Sequence, residues 1–125
     1  DWYGPAALVR RTHTRNFPTC LAGLPVLLPT AHAVLRSALE RWFDQQDVRP
    51  RVVGEFEDSA LMAVFAARGL GVFPVSRLGA LDLGLLRGLR LLGRCDDVRE
   101  EIHAIRSRRG LHHALARSVV QAALA

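Results

Sequence analysis

From Leu24 to Val75 the sequence alternates short apolar runs with stretches that have the spacing of amphipathic helices. Apolar runs at 25–29, 51–56 and 71–75 predict three strands, each followed by a residue that can cap a helix. The order strand, helix, strand, helix, strand, helix implies right-handed crossovers and a parallel sheet. The sequence therefore predicts an α/β fold with a parallel sheet flanked by helices.

The first helix carries the clearest pattern. It is predicted to start after Thr30, and Arg36 falls outside its apolar stripe and is expected to face water. The stripe follows i, i+3, i+4, i+7 spacing and consists of Ala31, Val34, Leu35, Ala38, Leu39, Trp42 and Phe43. The second helix starts after Asp58 or Ser59 and ends at Arg68-Gly69, a typical helix stop. Its expected inner face is Leu61, Met62, Val64 and Phe65.

The two ends of the chain are harder to interpret. Residues 1–23 are punctuated by prolines and lack a helical period, which predicts irregular chain with a short strand at 6–9. Further strands are predicted at 89–92 and 99–107, and a terminal helix at 111–124. The inner stripe of that helix is expected to contain Leu115, Val119 and Ala122.

Composition narrows the class of protein. The 125 residues are 50% apolar, enough for the core of one domain, and with 6% aromatic residues that core is expected to be aliphatic. All 17 basic residues are arginines spread along the chain, so the net charge of +5 does not indicate a nucleic-acid surface. No signal peptide or membrane span is recognisable, which predicts a cytoplasmic protein with Cys20 and Cys95 reduced.

Three loops are expected to converge where ligands bind in parallel sheets, beyond the carboxyl ends of the strands. The predicted effector-binding residues in these loops are Thr30, Glu55, Glu57, Asp58, Ser59, Pro74 and Ser76. Glu55, Glu57 and Asp58 can hold a monovalent cation, or Asp58 can cap a helix while both glutamates are solvated. Thr30 and Ser76 can contact a ligand, cap a helix, or do both.

Enzyme signatures are absent from the sequence. There is no nucleophile elbow, P-loop or zinc-protease motif, and Gly69-Leu70-Gly71 precedes a strand where a dinucleotide loop must follow one. His32, His112 and His113 lack acidic or thiol partners at metal-ligand spacing. We therefore predict a protein that is not an enzyme and needs no cofactor.

Three segments resemble the effector-binding domain of LysR-type transcriptional regulators. The most specific is the run Gly-Glu-Phe-Glu-Asp-Ser-Ala-Leu-Met at 54–62, continued by the stretch from Ala66 to Pro74. The others are 24–43, ending in Trp-Phe, and 100–105 with the terminal helix. Within the family the likeness is to activators of sodium/proton antiporter genes, which implies activation in response to sodium or lithium ions.

The resemblance implies a two-lobed domain like a type 2 periplasmic binding protein. Residues 24–92 would form the second effector-binding subdomain, and 1–23 a crossover segment. Residues 93–125 would return to the first subdomain as a strand and a C-terminal helix. The lobe would be incomplete, and the winged-helix domain that binds DNA would be absent from this chain.

The resemblance also implies partners: a small effector or monovalent cation, and DNA only through the absent winged-helix domain. Self-association through helices and strand edges is expected, with no membrane contact. The alternative is a stand-alone solute-binding module of the same fold. Such a module would need an export signal, and none is recognisable in the sequence.

Overall fold

The computed structural model describes residues 1–12, 16–77, 87–101, 103, 105 and 114–124. In chain order the elements are β1 (Trp2–Pro5), α1 (Ala6–Arg10), a 3-10 helix (Thr19–Gly23), β2 (Pro25–Pro29), α2 (Val34–Gln45), β3 (Arg51–Phe56), α3 (Ser59–Ala67), β4 (Phe73–Pro74), β5 (Leu89–Gly93) and α4 (Ala114–Leu124). The predicted mixture of helices and strands is therefore confirmed.

The strands pair in both orientations. β2 and β3 are parallel, and a parallel bridge between Val26 and Val72 places the β4 segment on the other side of β2. β1 lies between β4 and β5 and is antiparallel to both. The predicted parallel pairing is confirmed for β2 and β3 and for the single bridge at Val72, but the prediction of one parallel sheet is wrong, because β4 belongs to a separate sheet with β1 and β5. The antiparallel pairs arise because the chain enters through β1, which the sequence pattern did not reveal.

Residues 1–10 are regular, contrary to the prediction. The strand expected at 6–9 is helical, and the strand lies just before it, at 2–5. Pro5 precedes the helix with a φ of −64°, a value that suits a helix start. Gly4 allows β1 to approach its neighbour, since a Cβ there would lie 2.6 Å from Cγ1 of Val72.

The core is aromatic at its centre. Trp2, Trp42 and Phe43 are almost fully buried, and the two indoles stack with centroids 6.2 Å apart at 24°. Trp2 and Leu8 share this cluster with Val26 of β2, so the segment before residue 24 packs against the strand that follows it. The expected aliphatic core is found around these rings.

The helices α2 and α3 exist as predicted, with shifted faces. α2 begins at Val34, whose side chain is exposed, and its buried residues are Leu39, Trp42 and Phe43. α3 buries Met62, Ala63 and Ala66, while Leu61 and Val64 of the expected inner face are exposed. Residues 59–67 are apolar on nearly every side, so periodicity could not select the buried face. The predicted stop is confirmed, with Gly69 at a φ of +93°.

For the C-terminal part of the chain, some predictions are confirmed and others are wrong. β5 is confirmed, but residues 99–101, 103 and 105, the described part of the next predicted strand, lie in no strand. The described part of the terminal helix starts at Ala114, and Leu115, Val119 and Ala122 are exposed, so their predicted inward orientation is wrong. Spacing shows which residues share a helix face but not what covers that face. The helix predicted after Ser76 falls mostly on 78–86, outside the described residues.

Candidate functional site

The strand ends meet at one edge of the molecule. The backbone N–H of Thr30, just after β2, donates to the carbonyl of Phe56 at the end of β3, with an N···O distance of 3.1 Å. The N–H of Leu27 donates to the carbonyl of Val72 at 2.8 Å, so the segment leading into β4 runs beside β2. Because these strands are parallel, the loops after β2, β3 and β4 lie at the same edge. We call this edge the carboxyl edge.

Arg36 is the best-anchored charged side chain at the carboxyl edge. Its Nη1 donates to the carbonyl of Pro29 at 2.8 Å and to Oε2 of Glu55 at 3.1 Å. Its Nε donates to Oε1 of Glu40 at 2.7 Å. Only 14% of the Arg36 side chain is exposed. One guanidinium therefore connects the end of β2, the helix α2 and the strand β3.

The surroundings of Arg36 keep it charged. Burial alone would lower the pKa of Arg36, but hydrogen bonding and charge from Glu40, and then from Glu55, raise it above its ordinary value. The prediction that Arg36 faces water is therefore wrong. Its spacing of four residues from Glu40 is a local signal that could have indicated that ion pair, whereas the contact with Glu55 joins residues 19 apart and has no local signal.

The acidic residues have separate roles. Asp58 caps α3, because its Oδ1 accepts from the backbone N–H of Ala60 at 2.8 Å, as one of the two interpretations predicted. Glu55 is paired with Arg36, while Glu57 and Ser59 are exposed. Among the described residues, no group of three or more His, Cys, Asp or Glu is arranged to hold a metal ion.

The remaining predicted site residues are less accessible. Thr30 is half-buried and does not cap α2, whose N-cap is Ala33 without a side-chain bond. The loop from Thr30 to Ala33 is instead closed by the N–H of Ala33, which donates to the carbonyl of Thr30 at 3.0 Å. Pro74 is buried and Ser76 is half-buried. Thr30 and Ser76 are therefore better placed than Pro74 to present side chains to a ligand.

Arg77 is a second residue that sequence reasoning missed. It follows β4, and its Nε donates to Oδ1 of Asp1 at 3.0 Å, while its Nη2 donates to Oδ1 of Asp96 at 2.7 Å. These pairs join the start of β1 and the segment after β5 to the end of β4. The partners lie 76 and 19 residues away in sequence, so no local pattern could have indicated them.

The two cysteines show no sign of activation. Cys20 and Cys95 are unpaired thiols, and burial raises the pKa of both above the ordinary value. Both are therefore protonated near neutral pH, as expected of unactivated thiols.

Within the described part of the chain, no helix has the length and hydropathy needed to cross a membrane.

Comparison with known proteins identifies the family. The model of the LysR substrate binding domain matches residues 5–125. The chain belongs to the LysR substrate-binding domain family. It is also 34% identical over 99 residues to the transcriptional activator protein NhaR of Escherichia coli (strain K12), and equally to that of Shigella flexneri. Each match covers 79% of this chain but 33% of the relative, so the chain spans about a third of their length.

Membership confirms the resemblance inferred from residues 54–62 and accounts for the mixed α/β architecture. The family fold is periplasmic-binding-protein-like, and in such folds the ends of parallel strands hold the ligand. For this LysR-type domain the carboxyl edge is accordingly the candidate effector site. Arg36 and Asp58 shape that edge, since one joins its strands and the other fixes the start of α3.

Proposed function

We propose that this LysR-type domain is the effector-sensing part of a transcriptional activator and that the effector binds at the carboxyl edge. The observation that carries the proposal is the backbone hydrogen bond from Thr30, just after β2, to Phe56, the last residue of β3, which holds the two strand ends together. Effector contact with either loop is transmitted to the other through this bond. The relatives, named as transcriptional activators, support a regulator over a stand-alone solute-binding module. DNA contact in the cytoplasm would come from a winged helix outside this chain.

We further propose that the effector is a monovalent cation, sodium or lithium, as the resemblance implies. Arg36 already neutralises Glu55, so Glu57 and Asp58 are the carboxylates best able to attract a cation. Glu57 makes no ion pair with a residue that the structure describes, and Asp58 keeps one oxygen beyond its capping bond. Two carboxylates give a weak site, because sodium gains little over its hydration in water. The rest of a two-lobed domain would supply the remaining oxygen ligands.

A promoter reporter driven by the full-length protein tests this proposal. We expect Glu57→Gln and Asp58→Asn to raise the sodium concentration for half-maximal activation at least threefold, because each removes a carboxylate charge. Asp58→Asn retains an N-cap and should therefore remain folded. Glu55→Gln should have a smaller effect. Asp44→Asn, on the exposed surface of α2, is the matched control and should leave the response unchanged.

Thermal melting of each variant separates a lost response from a lost fold. If Glu57→Gln and Asp58→Asn stay folded and keep the normal sodium response, the acidic loop is only a helix cap and a solvated edge. A response to potassium equal to that for sodium would also contradict a selective site.

Self-association is the second part of the proposal. β3 pairs only with β2 among the described strands, which leaves its other edge open. Val53 on β3 and Leu61 and Val64 on α3 are all exposed, at 48%, 48% and 38%. An open strand edge beside apolar side chains is the kind of surface that a second copy covers.

Light scattering with separation by size checks this proposal. We expect a dimer or larger species at high protein concentration, shifted toward monomer by Leu61→Glu because a charge opposes burial. Val34→Glu, at an 89% exposed position outside this surface, should leave the distribution unchanged. A strictly monomeric wild type would exclude self-association, and equal effects of both variants would place the interface elsewhere.

A further inference from the structure

A cavity of about 310 Å³ lies at the start of β2, the opposite end of this strand from the carboxyl edge. It is formed where the chain leaves α1 and where the 3-10 helix leads into β2. The five residues of β2 separate this cavity from the loop at Thr30 by roughly 16 Å, at about 3.3 Å per residue. The cavity is therefore distinct from the proposed effector site.

Most of the residues around the cavity carry a side-chain hydrogen-bond donor. The polar ones that the structure describes are Arg11, Thr12, Asn16, Thr19 and Cys20. The lining residues that the structure describes include no Asp or Glu. Arg11 is exposed and forms no ion pair with any residue in the described part of the chain. Its positive charge is thus available to a ligand at the mouth of the cavity.

Cys20 does not introduce a negative charge. Its thiol is partly buried and hydrogen bonded with Thr12, and burial raises its pKa, so it is protonated at neutral pH. Among the described lining residues, the cavity therefore combines the positive charge of Arg11 with neutral hydroxyl, amide and thiol groups. A fork-shaped guanidinium beside hydroxyl donors matches the geometry of carboxylate and phosphate groups.

We propose that this cavity binds a small oxyanion through its carboxylate or phosphate group, with Arg11 as the charged anchor and the hydroxyls of Thr12 and Thr19 beside it. The volume is at the lower end of small-molecule sites, which span about 300–1,000 Å³. It accommodates inorganic phosphate or a small tricarboxylate. The anion would act from the far side of the fold, independently of the effector at the carboxyl edge.

Calorimetric titration of the full-length protein with inorganic phosphate, and separately with citrate, tests the proposal at constant ionic strength. We expect saturable binding of at least one probe, with the stronger probe identifying the preferred oxyanion. Arg11→Gln should weaken that binding at least tenfold. Arg10→Gln is the matched control, since Arg10 is also exposed but its Nε is bonded to the carbonyl of Ala6 outside the cavity. It should change the affinity less than twofold.

A second variant tests the cavity volume, whereas Arg11→Gln tests the charge. Gly23 lines the cavity and a Cβ there would have no neighbouring atom within 4 Å, so Gly23→Leu is expected to fit the backbone and to reduce the cavity volume. Loss of binding in both Gly23→Leu and Arg11→Gln, with unchanged melting temperatures, is the expected result. Absence of saturable binding, equal weakening by Arg10→Gln and Arg11→Gln, or unchanged binding in Gly23→Leu would overturn the proposal. An unchanged sodium response in Arg11→Gln would show that this cavity acts independently of the carboxyl edge.

Discussion

Replacing Trp42 with alanine is expected to lower the free energy of unfolding by about 3–5 kcal/mol, the usual cost of deleting a large buried aromatic side chain. The Trp42 indole is 3% exposed and stacks on Trp2. It also contacts Phe17 and Phe43, with ring centroids 6.0 Å and 5.5 Å away. The substitution removes buried area and leaves three rings facing a cavity, so both the transfer and the cavity costs apply.

Urea denaturation of the wild type and the Trp42→Ala variant measures this effect. Val34→Ala is the matched control on the same helix, because Val34 is 89% exposed. It should change stability by less than about 0.5 kcal/mol. A loss below about 1 kcal/mol in Trp42→Ala would mean that the aromatic cluster does not hold β1 against α2.

The positions of the elements in the middle of the fold were predictable because their local sequence patterns are clear, although the patterns did not always predict which faces are buried. β2 and β3 are short apolar runs and α2 has a clear 3.6-residue period, so their positions follow from spacing. β1 and α1 contain four and five residues, too few for a period to be recognised. The partner of Trp2 is Trp42, and no local rule connects residues 40 positions apart.

The same distinction between local and long-range contacts applies to the candidate site. The Asp58 cap depends on a residue two positions away, so the sequence indicated it. The contacts of Arg36 with Glu55 and of Arg77 with Asp96 depend on strand order. The spacing rule for helices therefore left Arg36 among the solvent-facing residues. Its guanidinium in fact binds both the end of β2, at Pro29, and Glu55 of β3.

Replacing Arg36 with methionine is expected to lower the free energy of unfolding by about 2 kcal/mol, since it leaves the carbonyl of Pro29 without its charged donor. Methionine keeps much of the apolar stem, so the loss reports mainly the guanidinium. The two ion pairs contribute less than the carbonyl contact, because Glu40 and Glu55 are about half exposed and screened by water. Arg41→Met, on the exposed side of α2, should stay within about 0.5 kcal/mol of the wild type.

A double-mutant cycle isolates the link between α2 and β3. Glu55→Gln should cost less in the Arg36→Met background than in the wild type, with a coupling energy of about 0.5–1 kcal/mol. High salt should reduce that coupling, because the carboxylate is partly exposed. Zero coupling at low salt would show that the Glu55 contact adds no stability and that Arg36 acts only through Pro29 and Glu40. In the reporter, Arg36→Met frees the Glu55 carboxylate, so a lower sodium concentration for half-maximal activation is expected. An unchanged concentration would exclude Glu55 from cation binding even when unpaired.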